Sequence, residues 1–161
     1  MNKSMIKLVG IGKWVLALVM IFAIMSHGKT DNLSETSFED MSAQVIAAAD
    51  LEAMQPADTQ MIRRLYGLDG SAFDGISLYY PKTNMGAEEL LLVKMKDPSQ
   101  AEGLRAVIDK RLETQIKSFE GYGAEQTAML KNSVVEIRGN YALFCSAANP
   151  APVLEAFSKA Y

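Results

Sequence analysis

Cysteine, histidine and tryptophan each occur once in the 161 residues. A lone cysteine, Cys145, cannot close an internal disulfide or supply a thiol metal site. The histidine, His27, lies beside the longest apolar run. Beyond that run there is no imidazole for a Ser–His–Asp triad or a His-rich metal centre. Basic charge is also scarce. Without Lys3, Lys7 and Lys13, the chain after residue 28 keeps 13 basic against 19 acidic residues, a net charge of −6. Phosphate backbones and anionic lipid surfaces are bound by basic faces, so nucleic acid and a peripheral lipid surface are excluded as partners.

Residues 1–13 carry three lysines and no acid. Trp14 to Met25 is then an unbroken apolar run of 12 residues, followed by Ser26-His27-Gly28. This is the layout of a secretory signal peptide with cleavage after Gly28. The competing reading is an uncleaved anchor over residues 8–25, the chain's only expected membrane contact. That reading places Lys13 within the span, at a cost of about 2.5–3.5 kcal/mol near the bilayer centre. In both readings the lysines stay cytoplasmic and the following domain is exported. The expected division is a signal peptide or anchor over 1–28, a tether over 29–36 and an extracytoplasmic domain over 37–161.

Local patterns set the expected elements. Thr36 with Glu39 resembles a capping box, and Phe38, Met41 and Val45 recur at helical spacing. Asp58 to Tyr66 reads as a second short helix ended by Gly67. Ile76, Leu78 and Tyr80 alternate as a strand that Pro81 stops. Glu89 to Lys96 is a strand with an apolar centre, which predicts an inner position with cover on both sides. Asp97-Pro98-Ser99-Gln100 is a helix start: a capping Asp, Pro at the first helical position and Gln at the third. Leu104, Ile108, Leu112 and Ile116 then step by four, with Val107 and Phe119 beside them. Glu102, Arg105, Asp109, Lys110, Glu113 and Lys117 occupy the other face. A short helix over Ala124 to Lys131 is followed by strands at Val134 to Arg138 and Tyr141 to Ala147, joined at Gly139-Asn140. Asn149-Pro150 opens a last helix. The expected fold is α+β. A four-stranded antiparallel sheet of two hairpins carries the long amphipathic helix and the C-terminal helix mainly on one face, after the signal or anchor segment and two short helices.

Five short motifs fall in a characteristic order. They are Tyr66-Gly67-Leu68-Asp69, Ala87-Glu88-Glu89-Leu90, Arg111-Leu112 with Gln115, Tyr122 with Glu125-Gln126, and Gly139-Asn140-Tyr141. From about Phe38 to Phe157 the chain resembles the bacterial family catalogued as domain of unknown function 4358. The resemblance implies a small exported or lipid-anchored protein and implies no activity. The chain has no cysteine near the end of its apolar run to carry a lipid.

Each reactive residue type has a bland explanation. Cys145 sits mid-strand among apolar residues and reads as a core thiol. Asp69, Ser71 and Asp74 resemble a cation loop, but Phe73 stands where a ligand is needed, so a plain turn is expected. Glu88 and Glu89 are adjacent, point to opposite faces and read as solvated strand ends. Tyr79, Tyr80, Tyr122 and Tyr141 could line a ligand surface or fill a half-buried sheet. Gly121-Tyr122-Gly123 follows a helix, so it is no phosphate loop. Arg63-Arg64 is too short for a basic patch, and the methionines after residue 28 read as core filler.

No catalytic, cofactor or metal residues are assigned, and no cofactor is expected. The expected function is a non-enzymatic binding module of the cell envelope, whose partner is a protein, a peptide or a cell-wall ligand. The alternative is a carboxylate-dependent hydrolase or transferase using a pair of acids, with Glu88, Glu136 and Asp69 as the candidates. A structural subunit of an envelope complex is a third reading.

Overall fold

The computed structural model describes residues Leu33–Tyr161. The signal or anchor segment expected over 1–28 lies outside them. Among the described residues no helix is long and apolar enough to cross a membrane.

The elements in chain order are α1 (Phe38–Ala48), β1 (Met54–Pro56), α2 (Thr59–Tyr66), β2 (Phe73–Pro81), β3 (Glu89–Met95), α3 (Ala101–Phe119), α4 (Ala124–Lys131), β4 (Val134–Arg138), β5 (Tyr141–Ser146) and α5 (Ala151–Ala160). The five strands form one antiparallel sheet in the order β1-β2-β3-β5-β4. The expected α+β class holds, with one correction: the sheet has five strands, not four. β1 pairs Met54 with Pro81 and Pro56 with Tyr79 at the edge of β2. An edge is where a proline can sit in a sheet without breaking a ladder.

A second correction concerns the layers. Helices cover both faces of the sheet, not mainly one. Leu90 and Leu92 of β3 and Tyr141, Leu143 and Cys145 of β5 face α1 and α5, meeting Met41, Val45, Val153 and Phe157. Leu91, Val93 and Met95, with Ala142 and Phe144, face α2 and α3, meeting Ile62, Tyr66, Leu104 and Ile108. Ala87, Phe119 and Leu130 extend this second layer under α4. The two-sided cover follows from β3 and β5 themselves. All six residues of β5 are buried, and so are all of β3 but Lys94. Such strands need apolar partners above and below.

The helix ends show the local chemistry. Asp58 caps α2 through the Met61 N–H at 2.8 Å, and Gly67 closes it at φ +69°, a conformation that costs glycine little. Asp97 and Gln100 form the expected capping box, around a 3₁₀ turn at Pro98–Gln100 that leads into α3. α1 begins one residue later than expected. Ser37, not Thr36, accepts the capping hydrogen bond, from the Asp40 N–H at 3.0 Å. The Thr36 hydroxyl instead donates to the Ala160 carbonyl at 2.6 Å. Ser34 is buried beside it, with its N–H on Asn140 Oδ1 at 2.9 Å and its hydroxyl on the Tyr161 carbonyl. The end of the segment read as a tether is thus strapped to the domain. At the start of α1 the Phe38 ring lies against Gly75, where the register of β2 shifts. A Cβ on residue 75 would come within 2.2 Å of that ring.

Candidate binding site

Glu89 opens β3 on the α2–α3 face, and its 1% exposure corrects the expectation of a solvated strand end. Arg111, from the middle of α3, donates to both its oxygens, Nε to Oε1 at 3.1 Å and Nη2 to Oε2 at 2.6 Å. The Tyr66 hydroxyl, from the last turn of α2, donates to Oε1 as well. The Arg111 guanidinium also lies over the Tyr66 ring, 5.9 Å from its centroid. Three elements are tied together at one buried carboxylate. Burial first, and the neighbouring Glu89 charge second, hold the Tyr66 phenol well above its ordinary pKa. For Arg111, burial disfavours the charge, but hydrogen bonding and the charge of Glu89 outweigh it and raise the pKa. The network is therefore a neutral phenol and a fixed ion pair.

A cleft of about 300 Å³ lies over this network. α2 contributes Met61, Arg64 and Leu65, and the end of β2 contributes Tyr80 and Pro81. The β2–β3 loop adds Thr83, Asn84 and Gly86. α3 adds Arg111, Gln115, Ser118 and Phe119, and Tyr122 follows. Gln126 of α4 braces the loop by donating to the Met85 carbonyl at 3.3 Å. Tyr122 stands 67% exposed at the rim. No carboxylate lines the cleft, although the domain is acidic overall.

The other candidates disperse. Asp69 accepts from the Ser71 N–H at 3.0 Å and hydroxyl at 2.8 Å, and pairs with Arg63 at 2.7 Å. Those Ser71 bonds first, and Arg63 next, lower its pKa. The carboxylate pins its own turn. Asp74 is exposed, and Phe73 packs inward. Glu136 pairs with Arg138 at the far sheet edge. Glu88 accepts from the Ala87 N–H. Asp69, Glu88 and Glu136 each keep a separate partner. Among the described residues no three His, Cys, Asp or Glu side chains cluster to hold a metal. A second cleft, of about 480 Å³, has Glu88, Asp50 and Glu52 with Cys145 and small alanines. Burial pushes the Cys145 thiol up to about 11, so at neutral pH it is protonated.

The four tyrosines do not share one surface. Tyr80 and Tyr122 line the first cleft, Tyr79 packs against the α1–α5 layer, and Tyr141 is buried with its hydroxyl on the Thr36 carbonyl at 2.9 Å. Met41, Met54 and Met95 are core residues, whereas Met85 is 56% exposed beside the cleft. Sequence reasoning passed over Tyr66, Arg64 and Arg111 as functional residues. Yet Tyr66, Glu89, Arg111, Gln115, Tyr122 and Gln126 all belong to the motifs that carry the family resemblance; the first five meet in or beneath this cleft, and Gln126 holds its loop. Their convergence was the available signal.

The family model described as Domain of unknown function (DUF4358) matches residues 47–147. No curated protein and no solved structure matched the chain. The matched span runs from the end of α1 through β5 and takes in the whole sheet and the cleft. The chain belongs to the family of domain of unknown function 4358.

Proposed function

We propose that the protein is an exported or membrane-tethered module of the cell envelope that binds a protein, peptide or cell-wall ligand and does not transform it. The observation that carries this reading is the cleft over Glu89 and Arg111. It is lined by hydrogen-bonding side chains and aromatic rings, it lacks carboxylates, and an ion pair that spans two elements stiffens its floor. Sites that bind small groups are concave, with a few fixed polar groups among apolar ones. The apolar run at 14–25 supports export.

The placement of the strap is consistent with tethering. Ser34 is held at the β4–β5 turn, beside the Met95 end of β3. The cleft is built around the Glu89 end of the same strand. Seven strand residues separate them by about 20 Å. The carboxylate-enzyme reading gains no support, because its three acids are not brought together.

Two measurements test the proposal. In intact cells, protease added outside should degrade the domain; protection until the membrane is opened would contradict export. Tagged protein should retain an envelope component that Gln115→Ala or Tyr122→Ala releases. Retention untouched by either substitution would move the binding surface away from the cleft.

A further inference from the structure

Five arginines lie among the described residues. Arg63, Arg105, Arg111 and Arg138 each pair with a carboxylate. Arg64 is exposed, lines the cleft and pairs with none. Arg111 lies in the same lining with its charge already balanced by Glu89. The cleft therefore presents one uncompensated positive charge, from a guanidinium whose planar fork suits a carboxylate. Gln115, Asn84 and Thr83 supply neutral hydrogen-bonding groups around it, while Met61, Leu65 and Phe119 supply apolar wall.

Resting on the binding-module reading, we infer that this cleft holds a peptide carboxylate, with Arg64 as its ionic partner and the residue that bears it against the apolar wall. One net positive charge matches one carboxylate. A doubly charged phosphate would leave charge unmatched, since no second free cation among the described residues lines the cleft. The volume of about 300 Å³ admits the end of a peptide. The exposed Tyr122 ring, tilted against Phe119 at 6.0 Å between centroids, gives the preceding residue a surface on which to lie.

The experiment uses the isotopically labelled full chain in detergent micelles and follows backbone amide signals. The probes are N-acetyl-Ala-Leu with a free C-terminus, its C-terminal amide, N-acetyl-Glu-amide, and sodium acetate. The free-acid dipeptide should shift the amides of Thr83, Gln115 and Tyr122 saturably, and the amide form should bind at least about tenfold more weakly. A stronger response to N-acetyl-Glu-amide than to the dipeptide acid assigns the carboxylate to an acidic side chain; a preference for the dipeptide acid assigns it to a chain terminus. Equal response to acetate and dipeptide would remove the apolar wall from the inference and overturn it. Arg64→Ala should abolish the preference for acid over amide, and Arg64→Lys should restore part of it. Because Arg64 is exposed, an unchanged denaturation midpoint is the check that these variants fold. Equal binding of acid and amide, or shifts confined to other residues, would overturn the inference. If an envelope component is still retained in a Gln115-dependent way by Arg64→Ala protein, the carboxylate inference falls and the binding-module reading stands. If nothing is retained by any form, both fall.

Discussion

The two faces of the sheet solve the same packing problem differently. On the α1–α5 face, Phe157, Tyr141, Met41 and Leu143 fill the layer with apolar groups and ring contacts, Tyr141 against Phe157 at 6.4 Å. Its one ammonium, Lys94, leaves the layer at the sheet's end, where it donates to the Thr36 carbonyl at 2.9 Å. On the α2–α3 face a full ion pair is buried. Arg111 is 14% exposed and Glu89 1%. Across from Glu89 in the β3–β5 register sits Ser146, whose buried hydroxyl has no hydrogen-bond partner. Taking charges out of water costs several kcal/mol per ion, so a buried pair is weak support for stability alone. The face that carries this cost also carries the cleft lined by Arg64 and Arg111. The first face is held by apolar packing alone, and the second by apolar packing and a carboxylate network.

The largest expected effects separate these two roles. Arg111→Ala leaves Glu89 buried without its counter-charge and should cost about 3–5 kcal/mol in chemical denaturation. Adding Glu89→Leu should recover most of that loss, because the penalty is an unpaired charge. On the other face, Phe157→Ala should also cost about 3–5 kcal/mol, as a cavity, and no charge substitution should recover it. If Glu89→Leu fails to rescue Arg111→Ala, the ion pair is not what distinguishes the faces.

A smaller effect lies within α3. Leu112 belongs to the expected apolar stripe, but the structure leaves it half-buried, while Ile108 is 0% exposed. Ile108→Ala should cost about 2–5 kcal/mol and Leu112→Ala about 1 kcal/mol. Equal denaturation midpoints for the two variants would contradict this difference in burial.

The least effect at neutral pH is alkaline. Burial, then the acids Glu39, Asp40 and Asp74, push Tyr141 up to about 12 from an ordinary 10.0. Between those values the folded protein keeps a proton that the unfolded chain releases. Stability from this group is therefore complete below pH 10 and is lost as pH rises towards 12. Tyr66, on the other face, is raised in the same direction. Denaturation followed from pH 9 to 12 should show a stability decline that Tyr141→Phe makes shallower. A slope unchanged by that substitution would assign the loss to other groups.

What was legible in the sequence was local. The Asp97–Gln100 capping box, the Gly67 helix stop and the Gly139-Asn140 turn each depend on neighbours within a few residues, and each stands as read. The inner position of β3 was legible because its apolar run leaves no solvent face. That same run argued for helices on both sides. The expectation of one covered face followed the habit of antiparallel hairpins against the residues themselves. β1 was missed because three residues ending in proline carry no period, and only pairing with β2 makes them a strand. Glu89 was misread because its partners are 22 and 23 positions away. A charge at a strand end looks solvated until the helix that buries it is placed. The cleft was invisible for the same reason: its arginines come from α2 and α3, which only the folded sheet brings together.

The strap at Ser34 and Thr36 has a mechanical consequence. A pull delivered at Leu33 falls first on the bonds to Asn140, Ala160 and Tyr161. From there it passes into the β4–β5 turn and the end of α5, and through the Thr36 carbonyl into Tyr141 of β5 and Lys94 of β3. The β2–β3 loop and Arg64 make none of these bonds, so tension at Leu33 loads the opposite end of β3 first.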